Sequence, residues 1–229
     1  MAEKRANRYK IIVNPISGRG NGERIIPSLE ENLRKQGVDF DLVRTQRPSH
    51  AIELAWQAAL DGFAVVVAVG GDGTANEVIN GLMQARQNRN LETAMAVLGA
   101  GRGNDFAYSA GMPADLDQGC RILAEGHRKR IDIGHVRGGL FPDGRFFGNS
   151  LGIGFDAVVS FEAVKMTRLS GAQFGQKEVQ FRQAAQLTVT AVRGVLPAHL
   201  DGETLCTEGT ELVAKLLPRQ LDLICPRLE

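Results

Sequence analysis

The sequence predicts an α/β domain built on a parallel sheet, followed by a mostly antiparallel β-sandwich domain that is short. Three observations carry this. Strand, glycine-rich loop and helix signals alternate through the first hundred residues, the signature of repeated β-loop-α units. Residues 64–69 and 94–98 are continuous apolar runs, as in strands buried on both faces. Beyond about Ile131 the helical spacing stops, and short alternating runs separated by turn residues take over.

The elements follow in order. Residues 9–13 are apolar and β-branched and end at Asn14-Pro15, before the glycine-rich stretch Ser17-Gly18-Arg19-Gly20-Asn21-Gly22. Ile25, Ile26, Leu29 and Leu33 recur at helical spacing up to Gly37. Phe40, Leu42 and Val43 suggest a second strand, and Ser49 is placed to cap a helix carrying Ile52, Ala55, Trp56, Ala59 and Leu60. The strand at 64–69 runs into Gly70-Gly71-Asp72-Gly73-Thr74 and a helix with Val78, Ile79, Leu82 and Met83. The strand at 94–98 runs into Gly99-Ala100-Gly101-Arg102-Gly103.

The second half reads as strands over 131–136, 145–151, 187–192, 195–200, 211–217 and 221–225, with turns at Pro142-Asp143-Gly144 and Asp201-Gly202. The expected domains are therefore 1–130 and 131–229, with the last strands able to pack back on the first domain. Gln173, Gln176, Gln180, Gln183 and Gln186 would line one face of a helix. Residues 170–186 thus read as an atypical linker.

Composition narrows the function classes. Lys+Arg 27 against Asp+Glu 26 leaves a net charge of +1, and aromatics are 6%, which argues against a nucleic-acid partner. Cys120, Cys206 and Cys225 are far apart and form no CxxC, so neither a zinc site nor a disulfide framework is expected. No apolar run is long enough to span a bilayer, and the charged start lacks a signal-peptide core. A cytoplasmic protein with at most peripheral membrane contact is the expectation.

Both principal glycine loops follow buried strands and open helices, where open α/β sheets bind ligands. Glycines let backbone approach a phosphate, and the N–H groups and positive end of the next helix attract its charge. Asp72 and Thr74 add a carboxylate and a hydroxyl there. On spacing alone the same stretch also reads as a tight turn with an N-cap. The P-loop signature is absent, and Gly18-Arg19-Gly20-Asn21-Gly22 does not match the dinucleotide fingerprint.

Several motifs, in order and mutual spacing, resemble the diacylglycerol kinase catalytic-domain family, which includes soluble bacterial lipid kinases and relatives of the sphingosine kinases. They are Asn14-Pro15-Ile16-Ser17-Gly18, the run from Gly70-Gly71-Asp72-Gly73-Thr74-Ala75-Asn76 to Gly81, and Gly103-Asn104-Asp105-Phe106-Ala107. Phe147-Gly148-Asn149-Ser150, Phe155-Asp156-Ala157 and Leu200-Asp201-Gly202-Glu203 match further on. The resemblance implies an NAD kinase- and phosphofructokinase-like α/β domain, then a β-sandwich. It implies transfer of the γ-phosphoryl of ATP to a lipid hydroxyl, most naturally that of diacylglycerol, with Mg²⁺.

Residue by residue, the resemblance gives Asn14, Pro15, Ile16, Ser17, Gly18, Thr45, Gly70, Gly71, Asp72, Gly73, Thr74, Ala75 and Asn76 to the nucleotide. It gives Asp201 and Glu203 to the reacting hydroxyl, one of them as base. Asp105 and Asp132 match acidic positions of a water-mediated Mg²⁺ network. Without the family, Asp201-Gly202 is simply a hairpin turn, Asp105 a helix cap and Asp132 a solvated strand end.

Three departures stand out. Arg102 replaces the family's Thr or Ser and is a candidate phosphate contact, or a salt-bridge partner. Ala64 stands where Asp is common, a packing change. Between residues 157 and 187 the family has more strands and a metal-binding loop, so the β half fits a naturally reduced member or a chain lacking an internal segment. His127-Arg128-Lys129-Arg130 suits a helix C-terminus or anionic headgroups. His50 reads as a surface or capping residue, and Phe155, Phe161 and Met166 as core or, alternatively, a lipid-chain wall. The implied partner is a lipid substrate at a membrane surface, and a homodimer is compatible with the sequence. The rival readings are a nucleotide-binding member without transfer activity and a kinase for a soluble substrate such as NAD.

Overall fold

The computed structural model describes residues 8–154 and 183–227. In its first half, strands β1 (Tyr9–Val13), β2 (Phe40–Arg44), β3 (Val65–Gly70) and β4 (Ala94–Gly99) lie parallel in the order β2-β1-β3-β4. Around them stand helices α1 (Ser17–Arg24), α2 (Ile26–Lys35), α3 (His50–Leu60), α4 (Asp72–Arg89), α5 (Asp105–Ser109) and α6 (Leu116–Glu125). Every residue of β3 is buried, because helices cover both faces of the sheet's centre. Ile11, Val67 and Ala96 stand side by side across β1, β3 and β4, all at 0% exposure. Gly81 lets α4 lie directly on α3: a Cβ there would sit 2.3 Å from the Ile52 carbonyl oxygen.

The second half adds β5 (Arg128–Gly138), β6 (Phe141–Phe147), β7 (Leu151–Ile153), β8 (Gln186–Thr190), β9 (Leu196–Leu200), β10 (Glu203–Gly209) and β11 (Glu211–Ile224). Strand β11 runs antiparallel to β5 along nearly its whole length. Its last residues also join the first domain, parallel to β4 with Leu223 beside Met95, and its first residues pair with β8. One sheet, β2-β1-β3-β4-β11-β5-β6, therefore passes through both halves. A second sheet, β10-β9-β7, closes a small core of Val136, Ala198, Leu200, Leu205, Cys206 and Leu212.

Several sequence expectations change here. The strand expected over 145–151 is two strands in different sheets. Phe147 ends β6, the N–H groups of Gly148, Asn149 and Ser150 all turn to the Asp201 carboxylate, and β7 starts at Leu151. Conversely, 211–217 and 221–225 form one strand. Pro218, which cannot donate to the ladder, sits at its register shift, and Arg219 (φ 52°) donates its N–H to Asp132 Oδ1 at 2.8 Å. Strand β10 has no counterpart among the expected elements, whereas α5 and α6 are anticipated only by the cap reading of Asp105 and the helix end before His127. Gln186 opens β8 instead of extending a glutamine-lined helix. Gln173, Gln176, Gln180, Phe155, Asp156, Ala157, Phe161 and Met166 lie outside the described residues.

The basic run belongs to a strand, since α6 stops at Gly126 (φ 65°) and β5 begins at Arg128. Arg130 is held by Asp222 at 2.8 Å and faces Glu92 at 3.7 Å.

Ser49 occupies the N-cap position of α3 in the left-handed region and makes no capping bond. Glu77 of α4 replaces it: its two carboxylate oxygens accept the N–H groups of Ser49 (2.8 Å) and Ala51 (2.9 Å). A carboxylate at a helix N-terminus also matches the helix dipole. Glu77→Ala is expected to cost about 1 kcal/mol, the usual worth of a cap. Thermal melts should show a Tm lower by roughly 2–4 °C for a chain of this size.

Candidate active site

Three loops meet at the carboxyl ends of β1, β3 and β4. After β1, Asn14 turns back, with Oδ1 accepting the Ile16 N–H (3.2 Å) and Nδ2 donating to Thr74 Oγ1 (3.1 Å). Gly18, Arg19 and Gly20 follow at φ 59°, 60° and 83°, so α1 becomes helical only beyond them. This left-handed turn brings Gly18 against the loop after β4, where a Cβ would stand 2.3 Å from the Ala100 carbonyl oxygen. A Cβ on Gly101 would lie 2.5 Å from Gly71 Cα, so two backbones touch where side chains would part them. Ser17 is buried beside them, and Ile16 is 80% exposed. Thr45, bonded through its N–H to the Val13 carbonyl (2.8 Å), ends β2 on the same edge.

Helix α4 starts at this junction, so its unpaired N–H groups face the loops. Asp72 Oδ1 accepts the Phe106 N–H (2.9 Å) and thereby caps α5. Asp72 Oδ2 and Asp105 Oδ1 both flank Gly103, at 3.0 and 3.8 Å from its Cβ position. Asp105 thus stands in the first turn of α5 instead of capping it. Asn104 shapes the loop, accepting the Gly101 N–H (2.8 Å) and donating to the Gly101 carbonyl (3.1 Å). Arg102 is exposed between two glycines.

The β half reaches this junction through the β9–β10 hairpin. Its tip, Asp201 (φ 46°) and Gly202 (φ 82°), adopts the left-handed conformations of a tight hairpin turn. The two acidic residues then part. Asp201 is buried and accepts four hydrogen bonds, from Asn149 and Ser150 N–H on Oδ1 and from Asn76 Nδ2 and Gly148 N–H on Oδ2. Its carboxylate ties the hairpin to the chain crossing and to α4. Glu203 instead points at the start of α4, with Oε1 2.5 Å from the Cβ position of Gly73. Its side chain keeps 45% of its exposure. Burial of the carboxyl end pushes the Glu203 pKa up, ahead of the opposing pull of Arg145.

Arg145 completes this wall. It is buried, stands 3.5 Å from Glu203 Oε2, donates through Nε to Asn76 Oδ1 (3.0 Å) and lies 5.0 Å over the Phe141 ring. Asn76 is buried against the β half: Nδ2 donates to Asp201 and to the Phe146 carbonyl (3.0 Å). Its side chain therefore joins the domains and does not face the loops, unlike the nucleotide contact the resemblance implied. Asn80, one turn on, takes both the N–H (2.9 Å) and the carbonyl (2.9 Å) of Phe146. Ala75 is buried beneath the site. Asp132 has one oxygen committed to Arg219 at the bulge of β11.

The site thus gathers Asn14, Ser17, Gly18, the run Gly70 to Thr74, Asp105 and Glu203. Glu77, Asn80 and Asn104 stand within the family motifs but carry supporting roles that the motifs do not assign, and Arg145 lies outside those motifs. Only the Asn76/Asn80 pair carried a signal, two polar residues four apart on an otherwise apolar helix face. Among the described residues, no three His, Cys, Asp or Glu side chains cluster as metal ligands, and no helix is long and apolar enough to cross a membrane.

Comparison with known proteins identifies the family. Residues 8–136 match the model of the diacylglycerol kinase catalytic domain, and the chain belongs to that family. A diacylglycerol kinase of Staphylococcus saprophyticus is 29% identical over 186 residues, 81% of this chain and 58% of the relative. One from Staphylococcus aureus strain RF122 is 33% identical over 134 residues, 58% of this chain and 41% of the relative. The chain therefore spans a little over half the length of such curated relatives at most. The crystal structure of a diacylglycerol kinase from Bacillus anthracis str. Sterne superposes with a TM-score of 0.69 at 15% identity. It covers 96% of this chain and 97% of its own, and shows the same fold.

Proposed function

We propose that the protein is an ATP- and Mg²⁺-dependent lipid kinase that phosphorylates a lipid hydroxyl, with diacylglycerol the first substrate to test. The observation that carries this reading is Glu203, a carboxylate with a raised pKa set against the N-terminal end of α4, where the glycine loops meet. Phosphoryl transfer needs positioned phosphates, charge neutralisation and a place for the hydroxyl proton. The N–H groups of the loops at 14–18, 70–74 and 99–103 would bind and orient the phosphates, and Thr45 would border the nucleotide. Arg102 would add a positive charge.

Asp72 and Asp105 fit a Mg²⁺ ion, which is commonly held by one or two carboxylates together with substrate phosphates. When bound, it supplies charge neutralisation on the phosphates. Asp132 fits less well, being engaged at the bulge. Glu203 would accept the hydroxyl proton at Oε1, while Arg145 holds the carboxylate in place from its other oxygen. Asp201 serves as a positioning residue for that base. A general base of this kind is worth about 10²–10⁴-fold in rate. The lipid would be met at a membrane surface by a cytoplasmic enzyme, in phospholipid biosynthesis.

The test is transfer from γ-labelled ATP to diacylglycerol, monoacylglycerol and sphingosine in mixed micelles with Mg²⁺, with NAD as a soluble acceptor. Label in lipid is expected. Label in NAD alone would overturn the lipid reading, and ATP binding without transfer to any acceptor would leave a nucleotide-binding protein.

A further inference from the structure

A cavity of about 370 Å³ opens beside the site, between α5, the start of β5 and the end of β11. Phe106, Ile131, Leu223, Cys225 and Pro226 form its apolar walls. Ser109, Lys129 and Asp132, all exposed, supply its polar groups. The cavity is joined to the reacting centre through two of its own residues. The Phe106 N–H is bonded to Asp72, and the Gly148 N–H to Asp201.

We infer that this cavity receives one hydrocarbon chain of the lipid acceptor, an assignment that rests on the lipid kinase reading. The walls offer Phe, Ile, Leu, Cys and Pro side chains, which suit an alkyl chain, while the polar side chains, Ser109, Lys129 and Asp132, are exposed. Size limits the occupant. At about 30 Å³ for a group the size of a water or a methylene, the volume admits roughly a dozen such groups. That is a single chain, not two. The second chain of a diacylglycerol would remain in the bilayer. Lys129 and Asp132 would stay near the polar boundary, with the glycerol end directed to the hairpin that carries Glu203. Burying the chain supplies the acceptor with affinity that grows with each methylene until the cavity is full.

The experiment uses the full chain and two variants, Ala110→Trp and Ser109→Trp, which fill the cavity from the end of α5. Neither residue is bonded to the glycine loops or to Glu203; Ser109 Oγ donates to the Asn149 side-chain oxygen at 3.4 Å, a bond that Ala110→Trp leaves in place. Ala110 has helical backbone angles that accept any side chain (φ −76°), and Ser109 is exposed, so that one variant serves if the other does not fold. Binding of dansylaminoundecanoic acid is read by fluorescence, with displacement by monododecanoylglycerol, and binding of a fluorescent ATP analogue is read in parallel.

The wild type is expected to bind the probe. The variants should bind it more weakly by at least about tenfold, the worth of about two buried methylenes, with ATP analogue binding unchanged. In turnover, KM for monoacylglycerols should fall with chain length up to about twelve carbons in the wild type, and the variants should lose that dependence. A wild type that fails to bind the probe, variants that bind it equally, or displacement by ATP alone would each overturn the assignment. Probe binding lost in the variants, with no lipid phosphorylated by any form, would overturn the kinase reading and leave the cavity as a chain-binding site. Lipid phosphorylation with the same KM series in wild type and variants would do the reverse.

Discussion

Glu203→Gln is expected to lower phosphoryl transfer by about 10²–10⁴-fold, the range for a lost general base, without lowering thermal stability at neutral pH. The two outcomes have one cause. Burial raises the Glu203 pKa in the folded chain above its ordinary value. The folded chain therefore holds this proton more tightly than the unfolded chain does. Stability then falls as pH climbs from the ordinary glutamate value through the raised one, and it remains lower above both. Glutamine carries no charge, so the variant escapes that penalty. Arg145 loses one partner but keeps Asn76 and the Phe141 ring. Melts at neutral pH should give a Tm equal to or above that of the wild type, and the gap should close in acid. In the wild type, activity should rise with pH along a limb set above the usual glutamate range. A glutamine variant within about tenfold of wild-type turnover would remove Glu203 from the role of base.

The loops, the parallel strands and the Asp201-Gly202 hairpin were legible because each is a local event. Residues 65–69 are apolar without interruption, and that reports burial on both faces directly. Asp-Gly between strands reports a turn. The division of labour between Asp201 and Glu203 was not legible. The two residues are near neighbours of the same charge, and they differ only in what the rest of the chain brings to them. Three successive N–H groups from 148–150 meet Asp201, whereas the glycine loop of α4 meets Glu203. Asn76 misled for a similar reason. It belongs to the glycine-loop motif, but the helical repeat turns its side chain toward Phe146 and Asp201. The single β11 was hidden because Pro218 reads as a strand breaker unless a bulge and an Asp132 acceptor are waiting for the next residue.

Asp201→Asn should show the opposite pattern to Glu203→Gln, with the larger loss in stability. Both oxygens of Asp201 accept two donors each, and the whole residue is 5% exposed. An asparagine can offer its oxygen to only one pair. Its NH₂ must then face two N–H donors: either Asn149 and Ser150, or Gly148 together with the Asn76 amide, which also reaches the Phe146 carbonyl. Asn149 and Ser150 are exposed and the three backbone bonds only part-buried, so leaving one pair unsatisfied costs about 1–3 kcal/mol. For a chain of this length the Tm should drop by roughly 3–10 °C. The loss also reaches function. The four bonds hold the chain crossing at 148–150, helix α4 and the hairpin as one body, and Glu203 takes its place from that hairpin. Transfer should therefore fall even at temperatures where the variant stays folded, whereas the raised pKa limb should survive in the remaining activity, because Glu203 itself is intact. A Tm within about 2 °C of the wild type would show that the Asp201 bonds are not what fixes the hairpin. Glu203 would then owe its position to Arg145 and Gly73 alone.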